Sequence, residues 1–353
     1  MSEQPITLAD VESLAEDKLD PEWYGYFAGG SGAERTLQRN IDAFARHHIR
    51  QRVLTGIDRV STETTVLGHR LASPLVVAPV AYQRIVHPDG EEGMARAAAA
   101  SGVGVCLSTF ASVSPEDVAA AAPDVVRFLQ VYVFRDHGVT DELIAEALDA
   151  GFSAIFLTVD LAALGMRDRE RRVHWTLPEE LPSVVYAQGR GAVAEGVDWF
   201  DPALDWAYLE RLCSSVPVPV VVKGVLDPED ARLAAEHGAA GVVVSNHGGR
   251  QLDGATATID ALPMIVGAAG ERLEILLDGG VRRGADILVA LALGAKAVLA
   301  GRQPLWGLAA GGEDGARTVL ELLREELEIS MHLAGCGSVG EVGTDVLATI
   351  GAL

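Results

Sequence analysis

ARLAAEHGAAGVVVSNHG, residues 231–248, decides the fold. An Ala/Leu-rich helical stretch runs into Gly238, and a short valine run then ends in the polar residues Ser245, Asn246 and His247. A glycine there supplies the left-handed residue favoured at a helix C-terminus, and a short unbroken apolar run marks a parallel strand buried on both faces. The same unit recurs in ARAAAASGVGVCLST (95–109), IAEALDAGFSAIFLTVD (144–160) and LVALALGAKAVLAG (288–301), with Gly102, Gly151 and Gly294 at the equivalent place. Filling the gaps gives eight candidate strands: 74–80, 104–109, 127–133, 154–160, 219–224, 241–246, 274–280 and 297–301. Eight strands alternating with helices predict an α/β fold of the (β/α)8 TIM barrel type. A doubly wound sheet fits less well, because ligand-competent residues follow nearly every strand rather than one switch point.

Outward from the barrel (74–336), residues 1–50 read as an N-terminal helical extension, with Thr7 and Asp10 able to cap LADVESLAEDKL and helical spacing in GAERTLQRNIDAFARH. TTVLGHRLASP (64–74) reads as a hairpin closing the barrel floor. The connection at 165–205 is long and rich in charge, Pro and Gly, the character of a functional or mobile loop. GCGSVG (335–340) matches G-x-G-x-x-G but follows a long helix rather than a strand, so it reads as a helix stop. The whole chain, 1–353, reads as one domain.

A net charge of −22 repels phosphate and argues against nucleic acid or an anionic membrane as partner. Cys106, Cys213 and Cys336 are odd in number and widely spaced, which fits a reducing cytoplasm and indicates neither a disulfide framework nor a metal site. No signal peptide, membrane-spanning run, or peroxisomal or lipidation signal is read at either end.

Strand C-termini face the active site in such barrels. Arg282 and Arg302 follow the seventh and eighth strands beside glycines whose N–H groups can approach an anion, so they point to phosphate rather than to surface ion pairs. His247 follows a buried strand between small residues, Arg250 lies three residues on, and Asp160 ends another strand where it can orient an imidazole. Lys223 can form a Schiff base, hold charge against a ligand, or pair with an acid. The residue pattern leaves these three open.

SNHGGRQLDGATATIDALP (245–263), VVKGVLDPEDARLA (221–234), LLDGGVRRGADILVALALGA (276–295), YFAGGSGAERTL (26–37) and LAGCGSVGE (333–341) carry a resemblance over nearly the full length. The chain resembles the FMN-dependent (S)-2-hydroxy acid oxidases and dehydrogenases, the family of glycolate oxidase, lactate oxidase and mandelate dehydrogenase. APVAYQRIVHPDGE (78–91) is most similar to hydroxymandelate oxidases. The resemblance implies His247 as catalytic base, Asp160 as its support, Arg167 and Arg250 gripping the substrate carboxylate, and Tyr26 and Tyr132 bonding the substrate. It implies Lys223 near flavin N1 and O2, with Pro79, Val80, Ala81, Ser108, Gln130, Thr158 and Ser245 around the ring system. Asp278, Gly280, Arg282, Gly301 and Arg302 would hold ribityl and phosphate. Implied partners are a small 2-hydroxy acid and oxygen or another electron acceptor, in a homo-oligomer, tetrameric as in the family.

Three departures stand out. RDRERRVHW lacks the Asn that often follows Arg167 and its loop is shorter than in many relatives; Gln303 replaces a frequent Pro; and Tyr82 and Phe110 make a more aromatic pocket than glycolate needs, favouring an aryl acid. A dehydrogenase using a quinone or protein acceptor, a flavin-free aldolase using Lys223, and a binding protein on a decayed barrel are the competing readings.

Overall fold

The computed structural model describes residues 7–173 and 199–348. Ten strands are present among them. β1 (Thr64–Val66) and β2 (His69–Leu71) form an antiparallel hairpin. β3 (Leu75–Val77), β4 (Gly104–Leu107), β5 (Arg127–Val131), β6 (Ile155–Thr158), β7 (Val220–Val225), β8 (Gly241–Val244), β9 (Glu274–Asp278) and β10 (Ala297–Ala300) pair in parallel and close into a barrel, with β10 beside β3.

All eight expected strands are found, and the four repeat glycines take left-handed backbone, with φ of 66° at Gly102, 77° at Gly151, 90° at Gly238 and 101° at Gly294. Seven of the eight stop one to three residues short of the expected C-terminal limit; β7 runs one residue beyond it, to Val225. Strands of a barrel tilt and diverge toward the rim, so the last residues of each apolar run leave the ladder. The hairpin floors the barrel as expected. Val66, Leu67 and Leu71 pack with inward-facing strand residues, and the Leu67 N–H donates to Glu274 at the start of β9 (2.9 Å).

The N-terminal extension contains three described helices, Leu8–Lys18, Pro21–Ala28 and Arg35–Phe44. Thr7 and Asp10 form the anticipated capping box. GAERTLQRNIDAFARH is helical only from Arg35, because Glu34 turns left-handed (φ 59°) and starts a new direction. The extension is tied to the barrel mouth by polar contacts: Asp253 accepts from the Ala33 and Thr36 N–H groups, and the Asn40 and Asn246 side-chain amides bond reciprocally at 2.8 Å. The helix Arg302–Ala334 closes the described barrel and ends at Gly335 (φ 81°), so GCGSVG is a helix stop. Of the connection at 165–205, residues 174–198 lie outside the described residues.

Candidate active site

The site arises from a two-residue step repeated around the barrel. Residues i and i+2 of a strand share a face. Toward the floor the inward face carries Val76, Cys106, Phe128, Phe156, Val221, Val243, Leu276 and Leu299, all buried in one apolar cluster. Two residues further along the chain in each case stand Ala78, Ser108, Gln130, Thr158, Lys223, Ser245, Asp278 and Gly301, four of them just past their strand ends. All of this second set except Ser245 line a cavity of about 700 Å³ at the strand C-termini.

His247 enters from the turn after β8. Its backbone is left-handed (φ 60°), a conformation costing a non-glycine residue roughly 1–3 kcal/mol and held by its surroundings. Asn246 caps the turn by accepting from the Gly249 N–H (3.1 Å), and Ser245 Oγ accepts from the His247 N–H (3.1 Å). Asp160 Oδ1 lies 2.9 Å from His247 Nδ1, and the Tyr132 hydroxyl lies 3.3 Å from Nε2. The carboxylate accepts the Nδ1 proton, which leaves the Nε2 lone pair directed to the cavity side. Burial holds the imidazole below its ordinary pKa against the upward pull of Asp160. Burial alone would raise Asp160, but His247 and Lys223 outweigh it and keep the carboxylate below its usual value. Burial and the Asp160 charge push the Tyr132 phenol up to about 12, so it stays a neutral donor. The pair is a base poised to accept a proton, with a charge in place to stabilise the imidazolium.

Across the cavity lie the arginines. Arg250 donates Nη1 to the Tyr26 and Gly29 carbonyls (2.6 and 3.0 Å) and sits 5.0 Å from the centre of the Tyr26 ring. Arg167 lines the same wall, with Nε 3.5 Å from the Arg250 carbonyl. Both contact Glu170, which the sequence reading did not single out.

Lys223 is buried, its Nζ 2.9 Å from Asp278 Oδ2 and 3.1 Å from Ser245 Oγ. Burial opposes its charge, but Asp278 and Asp160 win and hold the ammonium above the ordinary lysine range. A Schiff-base lysine needs the opposite shift. Ser245 does not line the cavity; it braces Lys223 and the His247 backbone from behind. Asp160 likewise stands behind His247 and outside the wall, where the expected supporting role would place it.

The other expected residues all line the cavity: Tyr26, Pro79, Val80, Ala81, Tyr82, Ser108, Phe110, Gln130, Tyr132, Thr158, Gly280, Arg282 and Arg302. Three observations fit FMN. Asp278 Oδ1 is buried with no hydrogen-bond partner, as a ribityl acceptor would be. Gln130 holds an amide in the wall, fixed by the Thr109 N–H (3.1 Å) and Thr158 Oγ1 (3.0 Å). Arg302 donates to the Phe27, Gly29 and Gly248 carbonyls and has no ion pair among the described residues; burial, Arg250 and Arg282 push it down to about 9. Such a corner is short of negative charge, which phosphate would supply.

An aromatic wall completes the cavity. Tyr82 and Phe110 face each other at 6.1 Å, and the Tyr82 N–H donates to the Phe110 carbonyl (3.0 Å). Phe200 packs 4.9 Å from Tyr132 and 6.0 Å from Phe110. It is placed there by short pairing, Phe134 with Phe200, Arg135 N–H to the Trp199 carbonyl and Asp201 N–H to the Val133 carbonyl. Glu170, Trp199 and Phe200 were missed because they sit on the irregular connection. The signal available was a Trp-Phe pair in a chain only 5% aromatic.

Comparison with known proteins agrees with this fold. The chain is 43% identical to an L-lactate oxidase of Nostoc sp., covering 97% of this chain and 98% of that protein. It is 42% identical to the 2-hydroxyacid oxidase 1 of Homo sapiens, covering 95% and 94%. A crystal structure of mandelate oxidase with (S)-4-hydroxymandelic acid superposes with a TM-score of 0.92 at 44% identity, covering 98% of each chain. The sequence profile of the family described as FMN-dependent dehydrogenase matches residues 15–349. With its barrel and that match in agreement, the chain belongs to the FMN-dependent dehydrogenase family.

Proposed function

We propose that the protein is an FMN-dependent oxidase that converts an (S)-2-hydroxy acid to the 2-oxo acid, with an aryl, mandelate-like acid as substrate and oxygen as acceptor, giving hydrogen peroxide. The observation that carries the reading is the His247–Asp160 pair, 2.9 Å apart, in one cavity with Arg167 and Arg250. Bound FMN supplies the electron sink that accepts the hydride equivalent.

The chain's own residues do the rest. Arg167 and Arg250 present planar donor edges that fix a carboxylate in position and orientation. His247 Nε2 takes the substrate proton, Tyr132 donates to the substrate oxygen, and Asp160 stabilises the imidazolium that forms. Lys223, held charged by Asp278, would set positive charge beside bound flavin, and Arg282 and Arg302 would hold its phosphate. Tyr82, Phe110 and Phe200 supply an apolar, water-excluding face for the acid's side chain.

The same reading treats 1–353 as a single catalytic domain working as a homo-oligomer in the cytoplasm. The extension's contacts to the mouth support the single domain, and the free state of Cys106, Cys213 and Cys336 suits a reducing compartment. Among the described residues no helix is long and apolar enough to cross a membrane. The deciding experiment is an anaerobic panel of (S)-mandelate, (S)-lactate and glycolate followed by flavin bleaching, then admission of air. Mandelate is expected to bleach fastest, and air to restore the colour with stoichiometric peroxide. Bleaching without recovery in air would reassign the acceptor to a quinone or protein, and no bleaching by any acid would end the proposal.

A further inference from the structure

Glu170 reaches the cavity from the short helix Asp168–Arg172, and its Oε1 lies 2.7 Å from Arg250 Nη2 and 3.5 Å from Arg167 Nη1. The three side chains are only 13–15% exposed. The helix is pinned by Arg169, which forks onto both oxygens of Glu34 at 3.0 and 2.6 Å, so Glu170 is a built part of the wall. Of the other cations of the cavity, Lys223 pairs with Asp278 and Arg282 with Glu12, and Arg302 has no ion pair among the described residues. The carboxylate grip is therefore two cations sharing one fixed anion.

We infer that Glu170 is a specificity-determining residue, trimming the Arg167–Arg250 grip to one net positive charge so that the site selects monocarboxylic over dicarboxylic 2-hydroxy acids. This rests on the proposed role of the two arginines as the substrate-carboxylate grip. A monoanion brings the group to neutrality. A dianion adds a second negative charge near Glu170 in a poorly hydrated cavity, where charges interact far more strongly than in water. Discrimination then comes from a repulsive element as well as from the attractive grip. Glu170 acts through charge and through the arginines it orients, not on the reacting atoms.

The test is the ratio of kcat/KM values for anaerobic flavin reduction by two matched pairs, (S)-lactate with (S)-malate and (S)-mandelate with its 4-carboxy derivative. Glu170→Gln is expected to shift the ratio toward the dicarboxylate by about tenfold in each pair, and Glu170→Asp to keep the wild-type ratio. A strut without an electrostatic role would lower both rates together, so a ratio unchanged in Glu170→Gln overturns the inference while the proposed function stands. A wild-type enzyme that reduces its flavin as readily with the dicarboxylate overturns it without any variant. Failure of the wild type with all four acids removes the proposed function, and the inference with it.

Discussion

The two ends of the barrel are made from the same eight strands and differ by one step of the pleat. At the floor, Phe128 and Phe156 stack at 5.2 Å with no exposure, under a hairpin that excludes water. Two residues on, Gln130 and Thr158 bond each other at 3.0 Å and face the cavity. The backbone differs as well: none of the eight inward-facing strand residues of the floor has a positive φ, while at the mouth Tyr82 and His247 are held left-handed. One end spends its inward residues on packing and the other on chemistry, so the scaffold's rigidity is generated about two residues below the groups that need it.

Substitutions at the two ends should therefore fail in different ways. The largest expected effect is at the mouth. His247→Ala removes the base, and anaerobic flavin reduction should fall about 10⁴-fold while FMN stays bound; fast reduction by the variant would refute the role of His247. At the floor, Phe156→Ala should cost about 3–5 kcal/mol of stability through the cavity it leaves, with the KM of the folded enzyme unchanged. Calorimetry beside kinetics tests this, and a raised KM without a fall in Tm would erase the distinction between the ends.

Asp160→Asn should lower kcat about 10²-fold and also move the pH profile. In the wild type the His247 pKa lies below its ordinary 6.5 because burial outweighs Asp160. The base is neutral above that pKa, so kcat/KM should be full at neutral pH and fall as pH drops through an acid limb below 6.5. Removing the Asp160 charge takes away the upward pull and should carry the limb to still lower pH. A limb that stays in place would separate Asp160 from the base. The smallest effect is expected for Arg167→Lys, a rise of about tenfold in KM with kcat little changed, because a point charge cannot replace a planar fork. Unchanged steady-state KM would remove Arg167 from the grip.

The floor was easier to read in sequence than the mouth. The apolar runs and the helix-ending glycines place all eight strands, since burial on two faces and a left-handed helix end each leave a composition mark. His247, Asp160, Arg250, Arg282 and Arg302 were legible because they follow those strands directly. Strand ends were not, because Val133 and Val159 are as apolar as the residues in the ladder. Glu170 and Phe200 were not either. They reach the site through ion pairing and a two-residue backbone match, and neither leaves a period in the sequence. The Asn40–Asn246 amide pair spans 206 positions and has no local signature.

That same pair sets a schedule for making the enzyme. Gly29 accepts from both Arg250 and Arg302, and Asn40 waits for Asn246, so the extension's docking surface does not exist until the eighth strand has been synthesised. At ribosomal speeds the first helices are exposed for roughly 10–40 s before their partners emerge. The anchoring of the extension is thus completed late, and a nascent chain interrupted before Arg302 lacks the donor that ties Phe27 and Gly29 to Gly248.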